Sequence, residues 1–271
     1  MNLSNKTIWI TGASSGIGEA LAIALCKQQW QGTLILSARR TEELERVKEM
    51  CVSQFAVKPE NIFLQTLDLS NSETLQLSVD EVLKKCHYVD ILINNGGVAH
   101  RSLAKDTLLE IDRRIFEVNY FGTITLTKAL LPSMMKRKSG QIVVISSVAG
   151  KVGTPFRTAY AASKHALYGF FDSLRAEVWA DNIKVTMICP GFIKTAISEN
   201  ALLGDGARFG KMDEAQANGM SADVCARLIL DAVDQDKEDI AMGGVREKAA
   251  LFLKRFAPLR LSKIIRTVRV R

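Results

Sequence analysis

Six short runs of β-branched and aliphatic residues alternate along the chain with longer stretches of helical spacing. The runs are Thr7–Ile10, Thr33–Ser37, Ile62–Thr66, Asp90–Ile93, Gln141–Ile145 and Lys184–Ile188, most of them bounded by Gly, Asn, Asp or Pro. Between them, Leu21, Leu25, Leu44, Val47, Leu75, Val79, Val82 and Leu83 fit helical spacing. The runs are nearly continuous rather than alternating with polar residues, as strands covered on both faces are. Strands alternating with helices connect through right-handed crossovers into a parallel sheet. The expected fold is α/β, a single-domain, doubly wound parallel sheet with helices on both faces. With 271 residues and no internal repeat or Pro/Gly-rich linker, one domain over 1–245 accounts for the pattern, followed by a tail over 246–271. The least patterned stretch, 192–220, reads as a functional lid or as a plain surface excursion.

Composition excludes several classes. The five cysteines are scattered with no Cys-x-x-Cys pair, and the three histidines have no ligand spacing, so neither a disulfide framework nor a metal is expected. The first strand-like run begins at Thr7, which leaves no room for a leader, and no apolar run approaches the roughly 20 residues of a spanning helix. A soluble, cytoplasmic protein is expected. The net charge of +7 is concentrated in Lys254, Arg255, Arg260, Lys263, Arg266, Arg269 and Arg271, without which acidic and basic residues balance. Interleaved Leu251, Leu253, Phe256, Leu259, Leu261, Ile264, Ile265 and Val268 make this segment amphipathic. Two readings stand: peripheral contact with an anionic membrane surface, or packing on the body or a partner subunit. Phe252 and Phe256 are the segment's aromatic residues, too few to favour nucleic-acid binding by stacking.

The first strand runs into Thr11-Gly12-Ala13-Ser14-Ser15-Gly16-Ile17-Gly18, after which helical spacing begins. Glycines let backbone approach a diphosphate closely, and the amides and positive end of the following helix favour an anion there. Gly12, Ser14, Ser15, Gly16, Ile17 and Gly18 are therefore candidate dinucleotide contacts. The second strand ends at Arg39-Arg40, where a carboxylate would suit an adenosine ribose 2′-hydroxyl and cations suit a 2′-phosphate. NADP(H) is favoured over NAD(H). The plainer reading of the two arginines is a polar helix start beside Glu42, Glu43 and Glu45.

Tyr160 and Lys164 stand four residues apart, thirteen or more after Ser147. Residues i and i+4 share a helix face, so phenol and ammonium can share a site, and the cation is expected to lower the tyrosine pKa. Tyr160 then serves as general acid for carbonyl reduction or base for the reverse. Ser147 follows an apolar strand and is placed to hydrogen-bond the reacting oxygen.

With these motifs in place the sequence resembles the short-chain dehydrogenase/reductase family over roughly Asn5 to Ile240, which implies a Rossmann-type fold. Asp68-Leu69 matches the family's adenine-contacting pair, and Asn94-Asn95-Gly96-Gly97 matches its Asn-Asn-Ala-Gly motif with glycine in place of alanine. That change leaves the backbone role of Asn95, Gly96 and Gly97 in place but implies less rigidity. Asn119, Ser147, Tyr160 and Lys164 match the catalytic positions, and Pro190-Gly191 with Ile193 and Thr195 matches the nicotinamide end. The resemblance implies a proton relay in which Tyr160 protonates the substrate oxygen and Ser147 orients it. Lys164 holds the nicotinamide ribose and Asn119 positions a water. It also implies a homodimer or homotetramer. The Asn-Asn-Gly-Gly motif and Ala162–Phe171 are similar to the dehydrogenase/reductase member 7 subgroup. Three function classes follow: an NADP(H)-dependent oxidoreductase acting on a carbonyl or secondary alcohol, a non-catalytic dinucleotide sensor or scaffold, and a nucleotide-sugar epimerase or dehydratase. Intact Ser147, Tyr160 and Lys164 argue against the second. The third needs a different glycine spacing and a larger carboxy-terminal substrate domain.

Overall fold

A computed structural model describes residues 3–28 and 30–267. The apolar runs form strands β1 (Thr7–Thr11), β2 (Thr33–Ala38), β3 (Ile62–Thr66), β4 (Ile91–Asn94), β5 (Gly140–Ile145) and β6 (Ile183–Pro190). Helices α1 (Gly16–Lys27), α2 (Thr41–Phe55), α3 (Ser72–Cys86), α4 (Leu109–Phe116), α5 (Gly122–Arg137) and α6 (Thr158–Glu177) lie between them in sequence. The 192–220 stretch supplies β7 (Ile193–Lys194), α7 (Glu214–Ala217) and the start of β8 (Met220–Ser221). Then come α8 (Ala222–Asp234), β9 (Asp239–Met242), α9 (Val245–Phe256) and α10 (Pro258–Thr267).

The main sheet has seven parallel strands in the order β3-β2-β1-β4-β5-β6-β9. Its seventh strand, β9, is absent from the six runs read in the sequence. Asp239-Ile240-Ala241-Met242 is only four residues long and buries Met242 alone, and only at a sheet edge is such a strand satisfied by one neighbour, here β6. Successive strand residues point to opposite faces, so β1 sends Ile8 and Ile10 into one core and Trp9 into the other. The first core is closed by α1, α2 and α8, the second by α3, α5 and α6. Strand order reverses between β1 and β4, which opens a crevice at their carboxyl ends.

The 192–220 stretch is closed at its base, where β7 pairs with β8. It lies on the body through Leu202, which donates its N–H to Ala99 at 2.9 Å and accepts from Arg101 at 2.8 Å. The tail is helical as far as it is described. α9 buries no residue, α10 buries only Leu261, and Phe252 and Phe256 pack on each other at 4.8 Å while both stay exposed. Val268, Arg269 and Arg271, which the sequence reading included in the basic tail, lie outside the described residues. Among the described residues no helix is long and apolar enough to cross a membrane.

Opposite the crevice, Asp90 ties the sheet together. Its Oδ2 accepts from the Thr7 N–H at 3.0 Å, its Oδ1 from Arg137 Nη2 at 2.6 Å, and its carbonyl from the Gln141 N–H at 2.8 Å. Removing the buried carboxylate strands an amide and a guanidinium, each costing a share of its desolvation. Asp90→Ala is expected to lower stability by about 2–4 kcal/mol in urea denaturation. A loss within about 0.5 kcal/mol, the range of ordinary surface changes, would show that this clasp contributes little.

Candidate active site

The glycine turn is forced by contact. Gly12 has a left-handed φ of +65°, and a Cβ there would stand 2.8 Å from the Gly96 Cα. Gly18 lies behind the turn, where a Cβ would meet the Gly12 carbonyl oxygen at 2.3 Å, so it packs the helix onto the turn and does not line the groove. Thr11 Oγ1 accepts from the amides of Asn95 (3.0 Å) and Gly96 (2.9 Å), and Asn95 Nδ2 donates to the Thr11 carbonyl at 2.9 Å. The glycine at 96 is fitted, not loose: a methyl there would stand 2.6 Å from Leu69 Cδ1.

A groove runs over this turn. Gly12, Ser14, Ser15, Gly16 and Ile17 line its floor, with Arg39 and Arg40 at one end. Asp68, Leu69, Asn95, Gly96, Gly97 and Thr195 form its walls. Asp68 does not cap α3; its Oδ1 accepts from the Ser70 amide and hydroxyl at 2.9 and 2.8 Å. Asp68 is the one carboxylate lining the groove, against the exposed guanidiniums of Arg39, Arg40, Arg114 and Arg208. The last two were not singled out in the sequence, where α4 and the 192–220 stretch give no phosphate-binding signal.

Through Ile17, Asn95, Gly97 and Thr195 the groove opens into a second cavity. Ser147, Tyr160, Lys164, Pro190, Gly191 and Ile193 line it. Ser147 follows β5 and its Oγ accepts from the Ala149 amide at 3.1 Å, whereas the neighbouring Ser146 Oγ is turned to the Lys164 carbonyl at 3.2 Å. Lys164 Nζ donates to the Ile145 carbonyl at 2.8 Å and lies 5.9 Å from the Tyr160 ring centre. A Cβ at Gly97 would come within 3.0 Å of Asn119 Oδ1 and 3.6 Å of Lys164 Nζ, so a side chain there would crowd both. Asn119 itself is fully buried in a π-helical turn (Glu117–Phe121) between α4 and α5. It accepts from the Val98 amide at 2.8 Å and donates to the Val98 carbonyl at 3.0 Å and to Ser163 Oγ at 3.1 Å. Asn119 therefore braces the strand exit and the helix of Tyr160, without lining either cavity.

The electrostatics correct one expectation. Burial raises the Tyr160 phenol above its ordinary value, and the groups that pull it back are Arg157 and the Ser147 hydrogen bond. Lys164 is itself lowered by burial, to about 8. The low dielectric that surrounds both groups outweighs the helical proximity from which a lysine-lowered tyrosine was expected. At neutral pH the phenol keeps its proton, as a general acid must.

Arg157 is one of several cavity residues that carried no signal in the sequence. Asp213 Oδ2 accepts from Arg157 Nη2 at 3.1 Å and from Arg101 Nη1. Gln216 Nε2 donates to the Ile193 carbonyl, and the buried His100 has its pKa lowered by desolvation. None belongs to a local motif; the fold collects them from distant segments.

The arrangement is a cationic, glycine-lined groove leading to a protonated phenol, a serine hydroxyl and an ammonium, at the carboxyl ends of a parallel sheet. Comparison with known proteins agrees. Residues 6–204 match the family model described as short chain dehydrogenase. The chain is 49% identical over 262 residues to a dehydrogenase/reductase SDR family protein 7-like of Anopheles gambiae, covering 95% of this chain and 81% of that protein. Among solved structures, a short-chain dehydrogenase from Streptomyces avermitilis is 30% identical with a TM-score of 0.78, covering 98% of each chain. An alcohol dehydrogenase from Thermococcus sibiricus complexed with 5-hydroxy-NADP is 25% identical with a TM-score of 0.74, covering 89% of this chain and 97% of that one. The match runs over most of the chain in sequence and over nearly all of it in fold, and the chain belongs to the short-chain dehydrogenase/reductase family.

Proposed function

We propose that the protein is an NADP(H)-dependent oxidoreductase that interconverts a carbonyl and a secondary alcohol. The observation that carries this reading is the continuity of the groove with the cavity, which puts Ser147, Tyr160 and Lys164 on the wall of the space into which the groove opens. The groove's residues fit a dinucleotide: the space over Gly12 and Gly16 is left by missing side chains, and the amino end of α1 opens onto it. Gly12, Ser14, Ser15, Gly16, Ile17, Asn95, Gly96 and Gly97 would hold the diphosphate region. Asp68 and Leu69 would hold the adenine, and Pro190, Gly191, Ile193 and Thr195 the nicotinamide end. Arg39 and Arg40, faced by no carboxylate lining the groove except Asp68, favour a 2′-phosphate. The bound cofactor supplies or accepts the hydride.

The chain's own residues handle the proton. Ser147 Oγ hydrogen-bonds the substrate oxygen, and Tyr160 Oη gives it a proton in reduction or removes one in oxidation. Lys164 donates to the ribose and, when charged, favours the developing phenolate. Asn119 holds Val98 and Ser163 and so fixes the wall on which the others stand. This role is positional; the buried amide has its own hydrogen bonds filled.

Thermal-shift titration tests the cofactor. NADP⁺ is expected to stabilise the protein at roughly tenfold or lower concentration than NAD⁺, the equivalent of one charge-assisted hydrogen-bonded contact. Changing Arg39 and Arg40 together to alanine is expected to erase the difference, and equal stabilisation of the unaltered protein by NAD⁺ would remove the NADP assignment. Tyr160→Phe is expected to cut turnover of any accepted carbonyl by about 10²–10⁴ while NADP⁺ still binds. Turnover that survives this change would sink the relay. Because the Lys164 proton leaves as pH rises through about 8, kcat/KM for NADPH, which reports the free protein, is expected to hold below that pH and fall above it. A profile that stays flat across pH 8 would show that the lysine's charge is not used.

A further inference from the structure

The wall of the cavity beside Tyr160 carries an anion site for the substrate. Asp213, at the base of α7, has a side chain only 4% exposed, and its Oδ2 is shared between Arg101 and Arg157. One carboxylate thus serves two guanidiniums. Arg157, 17% exposed, spends a single Nη2 donor on it at 3.1 Å and lies over the Phe192 ring at 5.7 Å. A guanidinium has five N–H donors in a planar fork, and the rest of this one is withdrawn from bulk water in a cavity wall. The other carboxylate of that wall, Glu247, packs against Gly191 and Gly243 and forms no ion pair with Arg157. Buried cations are retained where an anion meets them.

The backbone is also committed to this placement. Phe156, the residue before Arg157, has φ of +65°, a left-handed conformation that a bulky residue holds only when its surroundings impose it. Its carbonyl accepts from the Ser102 amide at 3.0 Å, and Ser102 bridges to Arg157. The result is a guanidinium fixed three residues before Tyr160, near enough to bias the phenol. Val98, Val152, Phe192 and Ile197 give the same cavity an apolar side.

We propose that Arg157 binds a carboxylate or phosphate group of the substrate, so that the enzyme acts on carbonyl compounds joining an oxyanion to an apolar body. This deepens the reading of Tyr160 as the proton donor and rests on it.

The test compares 4-acetylbenzoate with its methyl ester at saturating NADPH. The acid is expected to have a KM about tenfold or more below the ester's, the equivalent of one desolvated charge-assisted contact. In Arg157→Gln the ratio of the two KM values is expected to fall to about one, and Arg157→Lys is expected to restore part of it. The ratio cancels any effect of the arginine on Tyr160. Equal KM values in the unaltered enzyme would overturn the proposal while leaving carbonyl reduction intact. If neither ketone is reduced, the carbonyl-reductase reading fails on these substrates and the anion site is read separately. Benzoate is then expected to bind the NADP⁺-loaded protein at least about tenfold more tightly than benzamide, with the preference lost in Arg157→Gln, and equal binding overturns the proposal. Inorganic phosphate that inhibits ester turnover without competing with the acid would show a free-anion site, and would overturn the assignment to substrate.

Discussion

Thr11 and Asn95 clasp the ends of β1 and β4 across the one place where the strand order reverses, and the rest of the site is built on that clasp. A parallel sheet splays its connections to opposite faces at such a point, which leaves strand ends short of hydrogen-bond partners. Here the Thr11 hydroxyl accepts two amides from the β4 exit while the Asn95 side chain returns two bonds to the glycine turn. The crossing of the two segments is so close that Gly12 and Gly96 nearly touch. Side chains are excluded where a diphosphate would lie, and the groove is a consequence of the packing.

The same burial that makes the groove sets the chemistry beyond it. Tyr160 and Lys164 share a helix face, yet the sign of the tyrosine shift is decided by desolvation. A neutral phenol is favoured, and the ammonium is weakened to about 8 by the same loss of water. A tyrosine is protonated at neutral pH in any case, and burial makes this one a weaker acid, so proton donation is favoured by the groups that pull its pKa back, Arg157 first and Ser147 second.

What the sequence disclosed and what it hid divide along one physical line. The glycine turn was legible because its constraint is local: positive φ and close approach are written into consecutive residues. Tyr160 and Lys164 were legible for the same reason, as was the sheet, six of whose seven strands carry runs of β-branched and aliphatic residues. β9 was not, because an edge strand with one neighbour needs little apolar character. Arg157 and Asp213 were not, because each reads as an ordinary surface charge and their pairing spans 56 positions. The direction of the Tyr160 shift depends on burial from every side, which no spacing encodes. The basic tail was visible as charge, whereas its two helices with exposed Phe252 and Phe256 emerged only from the fold.

The stretch over 192–220 connects these parts mechanically. Its base is pinned by the β7–β8 pair, its middle by the backbone of Leu202, and its far end by Asp213, which reaches both the β4 exit and the start of α6. Thr195, on the same stretch, lines the groove and the cavity alike and lies within hydrogen-bonding reach of Gln216 at 3.4 Å. A ligand that draws on Arg157 competes for the guanidinium that holds Asp213, and a ligand in the groove meets Thr195. Both cavities are thus walled in part by one segment, held to the body through named bonds.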